Sequence, residues 1–173
     1  HLAIAELEKM GHVACVITQN IDGLHQKAGS NPDRVYELHG NLDWVHCLGC
    51  KNRYRTDWII ERNRGVKEVP DCEYCGGILK PDVVSFGEPL PKKTLESAAI
   101  SSSTCELFIV VGSSLVVYPA AYMPIYAKAA EARLAIINMV ETPCDEEADL
   151  VISGQAGVVM KQLMQVIRYV RRE

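Results

Sequence analysis

Cys47, Cys50, Cys72 and Cys75 form two C-x-x-C pairs, and no other residues of this chain are so plainly committed to one kind of chemistry. Each pair sets two thiolates on one tight turn, and two such turns close a tetrahedron around one Zn²⁺. The interval between the pairs is close to that of a zinc ribbon. Four thiolates saturate the ion and leave no position for water, so one structural Zn²⁺ is expected. Two redox dithiols, or two disulfides, are the competing reading. A redox C-x-x-C is normally single and opens a helix, which disfavours it.

A second set has acid–base and hydrogen-bonding character. Gln19, Asn20, Asp22, His25 and His39 follow two short strand-like segments, the apolar run 13–17 and Val35-Tyr36-Glu37-Leu38. If those runs are parallel strands, their carboxyl ends deliver two carboxamides, a carboxylate and imidazoles to one sheet edge, where open α/β sheets hold ligands. Histidine is the side chain best matched to proton abstraction near neutral pH. Each residue alone has a plainer role too, such as the capped turn that Asn-x-Asp-Gly makes. Gly112-Ser113-Ser114 ends the run 107–112 and permits close backbone approach to a ligand, although it is not a G-x-G-x-x-G fingerprint. Asn138 closes the next run, 134–138, where a ribose-reading residue often stands.

These residues need a scaffold, and the hydrophobic pattern supplies one. Positions 1–10 have helical periodicity and stop at Gly11. The run 13–17 is short and apolar, as in a strand buried on both faces, and 35–38, 107–112 and 134–138 read as further strands. Residues 83–88 look strand-like between prolines, and 151–152 offers one more short strand. Helices are expected over 92–102, over an Ala-rich stretch reaching Arg133, and over 158–171. The stretch 107–138 has the length of a βαβ crossover. Within the cysteine-bearing insert, 54–64 reads as a helix with Trp58 and Ile59 turned inward. The fold class is therefore α/β, a Rossmann-like parallel sheet (1–42 and 81–173) interrupted by a small zinc-ribbon module (43–80).

Composition narrows the function classes. With 173 residues the chain suffices for one core plus a small insert. No apolar run reaches the length that spans a bilayer, so no membrane partner is expected. Removing the four candidate ligands from the seven cysteines leaves Cys15, Cys105 and Cys144, an unpaired remainder that suits a reducing, cytoplasmic compartment. Net charge is −4, and basic residues cluster only modestly, at Lys51, Arg53, Arg55, Arg62, Arg64 and Lys67 and at Arg168, Arg171 and Arg172. That disfavours nucleic-acid binding, which needs a basic stripe. Zinc deaminase chemistry is excluded, because none of the five histidines opens an H-x-E.

Several segments in order carry a family resemblance. They are Thr18-Gln19-Asn20-Ile21-Asp22-Gly23-Leu24-His25, His39-Gly40, the four cysteines, Val83-Val84-Ser85-Phe86-Gly87-Glu88, and the run from Val111-Gly112-Ser113-Ser114 through Tyr118-Pro119-Ala120-Ala121. Together they resemble the sirtuins, NAD-dependent protein-lysine deacylases. The last motif, with Glu141-Thr142-Pro143, is most similar to bacterial and archaeal members that remove acetyl groups.

The resemblance implies roles. Catalysis would fall to His39, Asn20 and Asp22, with His39 as general base on a ribose hydroxyl. NAD would lie against Gln19, Asn20, Asp22, Gly112, Ser113, Ser114, Asn138, Met139, Val140 and Ala156. An acylated lysine peptide would add as a strand between Val84, Ser85, Phe86, Gly87 and Glu88 on one side and Val116, Val117 and Tyr118 on the other. Products would be free lysine, nicotinamide and O-acyl-ADP-ribose. Mono-ADP-ribosyl transfer from the same NAD site, or a non-catalytic peptide- or ADP-ribose-binding fragment, are the alternatives. Two departures stand out. Ser85 replaces a bulkier residue common in the family. The opening strand with its Gly-Ala-Gly phosphate loop is absent, so the chain is expected to be N-terminally incomplete.

Overall fold

The computed structural model describes residues 1–65 and 68–170. Lys67, Arg171 and Arg172, counted above among the basic residues, lie outside the described residues, as does the last residue of the helix expected over 158–171. The chain is α/β, with eight strands in three sheets and six α-helices among the described residues.

Parallel pairing dominates the part that carries the acid–base residues. Strand β1 (Val16–Thr18) pairs with β2 (Val35–Glu37), joined by α2 (Leu24–Lys27) and a 3₁₀ turn over Pro32–Arg34. Strands β6 (Leu107–Val111), β7 (Arg133–Asn138) and β8 (Leu150–Ser153) form a second parallel sheet. The crossover between β6 and β7 contains α5 (Tyr122–Ala129), which ends short of the expected Arg133 because that residue already opens β7. The parallel strands thus fall into two sheets; β1 and β6 are not paired with each other.

Burial explains why the interior of β7, Leu134 to Ile137, is apolar. Leu134 and Ile136 pack with Val110, Leu115 and Cys144, while Ile137 packs on the opposite side with Leu7, Met160 and Met164. Those last residues come from α1 (Leu2–Lys9) and α6 (Ala156–Val170), so both terminal helices share one cluster. In α6 the stripe Val159, Met160, Leu163, Met164, Ile167 follows the three-and-four spacing of a single buried face. Arg168 of α6 donates from Nε to Glu6 of α1 at 2.9 Å, an exposed pair that fixes register more than it stabilises. A third cluster joins Leu38 to Ala98 of α4 (Lys92–Thr104) and to Ala120 and Met123 at the start of α5.

The insert is antiparallel, in the order β4-β3-β5. Here the sequence expectations need the most correction. Strand β3 (Gly40–Cys47) begins directly after His39 and ends on a candidate metal ligand. The helix expected over 54–64 is α3 (Thr56–Arg62), because Tyr54 and Arg55 belong to β4 (Arg53–Arg55) and pair with Val45 and Trp44. Of the two residues expected inward, Ile59 is buried but Trp58 is exposed, its ring stacked on Tyr54 instead of entering a core. The strand expected over 83–88 lies earlier, as β5 (Leu79–Val83). Residues 84–88 instead make a turn, since Gly87 takes φ +87° and the Glu88 carboxylate accepts from the Ser85 N–H at 2.8 Å. The run 13–17 becomes strand only from Val16.

Candidate active site and metal centre

The carboxyl ends of the parallel strands bring most of the candidate residues to one edge. Gln19, just past β1, donates from Nε2 to the Ser113 hydroxyl just past β6 at 3.3 Å, so the two parallel sheets meet there. The Gly112 N–H donates to the Ile137 carbonyl at 2.8 Å, and the Gly154 N–H to the Asn138 carbonyl at 3.0 Å. These bonds hold the ends of β6, β7 and β8 level. Gly112 has φ +66°, and a Cβ there would lie 3.6 Å from the Ala156 Cβ at the start of α6, so the loop and helix start are in close approach. Asn138 donates from Nδ2 to the Val140 carbonyl at 3.0 Å, which shapes the exposed turn of Met139 and Val140.

His39 stands at the junction of everything. Its Nδ1 lies 3.0 Å from the Gln19 carbonyl oxygen. A carbonyl can only accept, so Nδ1 carries the proton and Nε2 is left with the free lone pair. The His39 carbonyl in turn accepts from the Val84 N–H at 3.0 Å. One residue therefore ties the end of β1 to the segment after β5.

Asn20 and Asp22, just past Gln19 in the chain, are exposed. The Asp22 carboxylate accepts from the Leu24 N–H at 3.0 Å, which is the local turn its sequence suggested. His25 is brought to a different place. It is buried in α2 against the His1 ring, and burial lowers its pKa, so its imidazole is held neutral. Of the two histidines, His39 has the open position.

The two segments expected to receive a peptide are exposed. Phe86 is 102% exposed, which removes it from any core, and Val116, Val117 and Tyr118 are all solvent-facing. Apolar side chains so displayed are surface available for burial by another molecule. Glu88 is committed within its own turn. The Ser85 N–H and the Lys80 ammonium, at 2.9 Å, hold its carboxyl below the usual carboxylate range. Lys80 also donates to the Val83 carbonyl at 2.8 Å. Sequence reasoning missed Lys80, whose one signal is its place directly before Pro81.

The four cysteine sulfurs lie within 4.8 Å of one another. The Cys47–Cys75 and Cys50–Cys72 separations are 3.5 and 3.6 Å. A tetrahedron with Zn–S bonds of about 2.3 Å has edges near 3.8 Å, so the sulfurs fit the ion. The backbone agrees. A Cβ at Gly77 would come within 2.9 Å of the Cys47 sulfur, so that turn needs glycine, whereas one at Gly49 would sit in ordinary contact at 3.6 Å from the Cys75 sulfur. Cys47 and Cys72 are buried and Cys75 is exposed. A further contact was invisible in the sequence. The Tyr54 hydroxyl lies 3.0 Å from the Cys72 sulfur, and it is the main reason that thiol is drawn down to about 6.

Comparison with known proteins adds four findings. Residues 1–119 match the model of the Sir2 family. The chain is 49% identical to NAD-dependent protein deacylase 2 of Archaeoglobus fulgidus, over 100% of its own length and 68% of that protein's. It is 44% identical to NAD-dependent protein deacetylase 1 of Pyrobaculum aerophilum, over 97% of its length and 65% of that protein's. It thus spans about two thirds of the length of these curated relatives. A solved Sir2 structure with a p53 peptide and NAD⁺ superposes with a TM-score of 0.90 at 41% identity, over 95% of this chain and 68% of that one.

Proposed function

This chain belongs to the Sir2 family, and from that premise we propose that the protein removes acyl groups from lysine side chains with NAD as co-substrate. The observation that carries the reading is His39, whose Nδ1 is occupied by the Gln19 carbonyl and whose Nε2 is free to accept a proton.

The donor set fits the co-substrate. Hydroxyls of Ser113 and Ser114, the backbone at Gly112 and the Asn138 carboxamide converge on one strand-end edge, the arrangement that receives ribose and phosphate groups. In this reading NAD is held by Gln19, Gly112, Ser113, Ser114, Asn138, Met139, Val140 and Ala156. It supplies a ribosyl carbon with nicotinamide as leaving group. Asn20 and Asp22 line the nicotinamide side. His39 Nε2 takes the proton of a ribose hydroxyl, so that oxygen can accept the acyl group. Its orientation is maintained by the Nδ1 bond, which keeps the ring in one tautomer. Products are deacylated lysine, nicotinamide and O-acyl-ADP-ribose.

The acyl-lysine peptide would pair by its main chain between 84–88 and 116–118, which gives affinity with loose sequence selectivity. Residues 43–80 are assigned to a zinc module, and 1–42 with 81–173 to the NAD-binding part. The free thiols Cys15, Cys105 and Cys144 support a cytoplasmic location. No helix among the described residues is long and apolar enough to cross a membrane. Nucleic acid is not proposed as a partner, on the grounds of the net charge of −4.

The test is mass spectrometry of protein incubated with an acetyl-lysine peptide and NAD. Peptide-dependent release of nicotinamide with formation of O-acetyl-ADP-ribose is expected. Label from NAD left on protein would favour ADP-ribosyl transfer, and the absence of nicotinamide would leave a binding module.

A further inference from the structure

The zinc module contains a hydroxyl aimed at one of its sulfurs, and the surroundings of that hydroxyl are organised. Tyr54 lies on β4 opposite Val45, on the face of the hairpin that also carries Cys47. Its oxygen is 3.0 Å from the Cys72 sulfur, and Cys72 is 2% exposed. The Tyr54 ring is stacked on Trp58 of α3, with centroids 5.6 Å apart and planes 10° from parallel. The Arg62 guanidinium stands over the Trp58 ring at 5.4 Å, and Arg62 pairs with Glu73 at 3.6 Å. Glu73 is the residue after Cys72 in the chain. The contacts therefore close a circuit, from Tyr54 through Trp58, Arg62 and Glu73 back to Cys72.

A tyrosine that merely filled space would not need its hydroxyl at that sulfur. A sulfur bound to zinc carries thiolate charge and accepts hydrogen bonds, and groups that donate to metal ligands fix their orientation and tune them. We propose that Tyr54 is a positioning residue of the zinc site, its hydroxyl donating to the Cys72 sulfur and slowing the release of the metal. Loss of zinc begins as a sulfur moves off the ion, and the Cys72 sulfur is held in place by the Tyr54 hydroxyl, whose ring is stacked on Trp58. The circuit also joins the first cysteine pair, through β4 and α3, to the second pair at Glu73, so the two halves of the site are kept in register.

Tyr54→Phe isolates the hydroxyl, because it keeps the ring and the stack on Trp58. Zinc-loaded protein is mixed with a chromophoric chelator, and both the rate of zinc transfer and the competition affinity are read. Transfer about 10–100-fold faster, with affinity weakened on the same scale, is expected. The thermal midpoint in excess zinc should stay near that of the wild type, which separates the effect from general unfolding. Transfer and affinity within about twofold of wild type would overturn the proposal. Should Tyr54→Phe not fold, Trp58→Leu takes its place, retaining the hydroxyl but loosening the ring that aims it. Faster transfer is then expected, and unchanged transfer overturns the proposal equally.

Discussion

His39 and His25 share a side chain but not a situation, and the difference is set by their neighbours. The Gln19 carbonyl leaves His39 with a free Nε2, whereas His25 is enclosed in α2 with its Nδ1 unpartnered. Replacing His39 by alanine should therefore stop deacylation while leaving NAD binding intact. Removal of a general base costs on the order of 10²–10⁴ in rate, and the loss should fall after the step that expels nicotinamide. The measurement is exchange of labelled nicotinamide into NAD in the presence of acyl-lysine peptide. Exchange should persist without net deacylation. A variant that still deacylates near the wild-type rate would remove His39 from the chemistry. The sequence placed His39 beside His25 in one candidate set, and only the family resemblance pointed to His39 as the base. It could not say which ring nitrogen is free, because that depends on a carbonyl 20 residues away.

At the scale of elements, β3 is the connection that matters. One end adjoins His39 and the other is Cys47, so a single strand links the candidate catalytic histidine to a candidate metal ligand. Its start requires glycine. Gly40 has φ +78°, and a Cβ there would run into the Asp82 carbonyl oxygen of β5. Gly40→Ala should cost more than about 2 kcal/mol, the sum of left-handed backbone strain and a backbone clash. For a chain of this size that lowers the thermal midpoint by roughly 4–8 °C. Calorimetry checks the shift, and a midpoint unchanged within a degree would contradict the close packing of β3 on β5. Activity should fall with it, since the His39 carbonyl holds Val84. None of this was legible beforehand. Residues 40–47, Gly-Asn-Leu-Asp-Trp-Val-His-Cys, are polar and mixed, and only antiparallel pairing on both sides makes them a strand.

For the molecule as a whole, two kinds of stabilisation divide the work. The parallel strands and helices are held by the three apolar clusters. The insert has few buried apolar residues among those described, chiefly Val45 and Ile59 besides its cysteines, so it is expected to depend on metal. Binding of structural zinc contributes on the order of 10–16 kcal/mol in small modules. One zinc per chain is expected by elemental analysis. Cys72→Ser should lose the metal together with solubility or a substantial part of the thermal stability. Well-folded protein with substoichiometric zinc would count against a structural role, as would a Cys72→Ser protein that keeps both metal and solubility.

What the sequence determined unaided is what depends on local pattern. The cysteine spacing specified the metal cluster, because ligands so close in the chain must share a turn. The apolar runs specified parallel α/β strands, but the expected burial on both faces fails for β6 and β8, where Leu107, Ile109, Leu150 and Val151 are exposed. Tertiary structure alone decided the rest. Trp58 faces outward because Tyr54 was captured by β4 and offered its ring as a stacking partner. Residues 84–88 form a turn and not a strand because Lys80 and the Ser85 N–H take the Glu88 carboxylate. The Tyr54–Cys72 and His39–Gln19 contacts span 18 and 20 residues, and no local periodicity encodes them. They exist because packing brings distant backbone and side chains within reach, and hydrogen bonds form only between groups already held there.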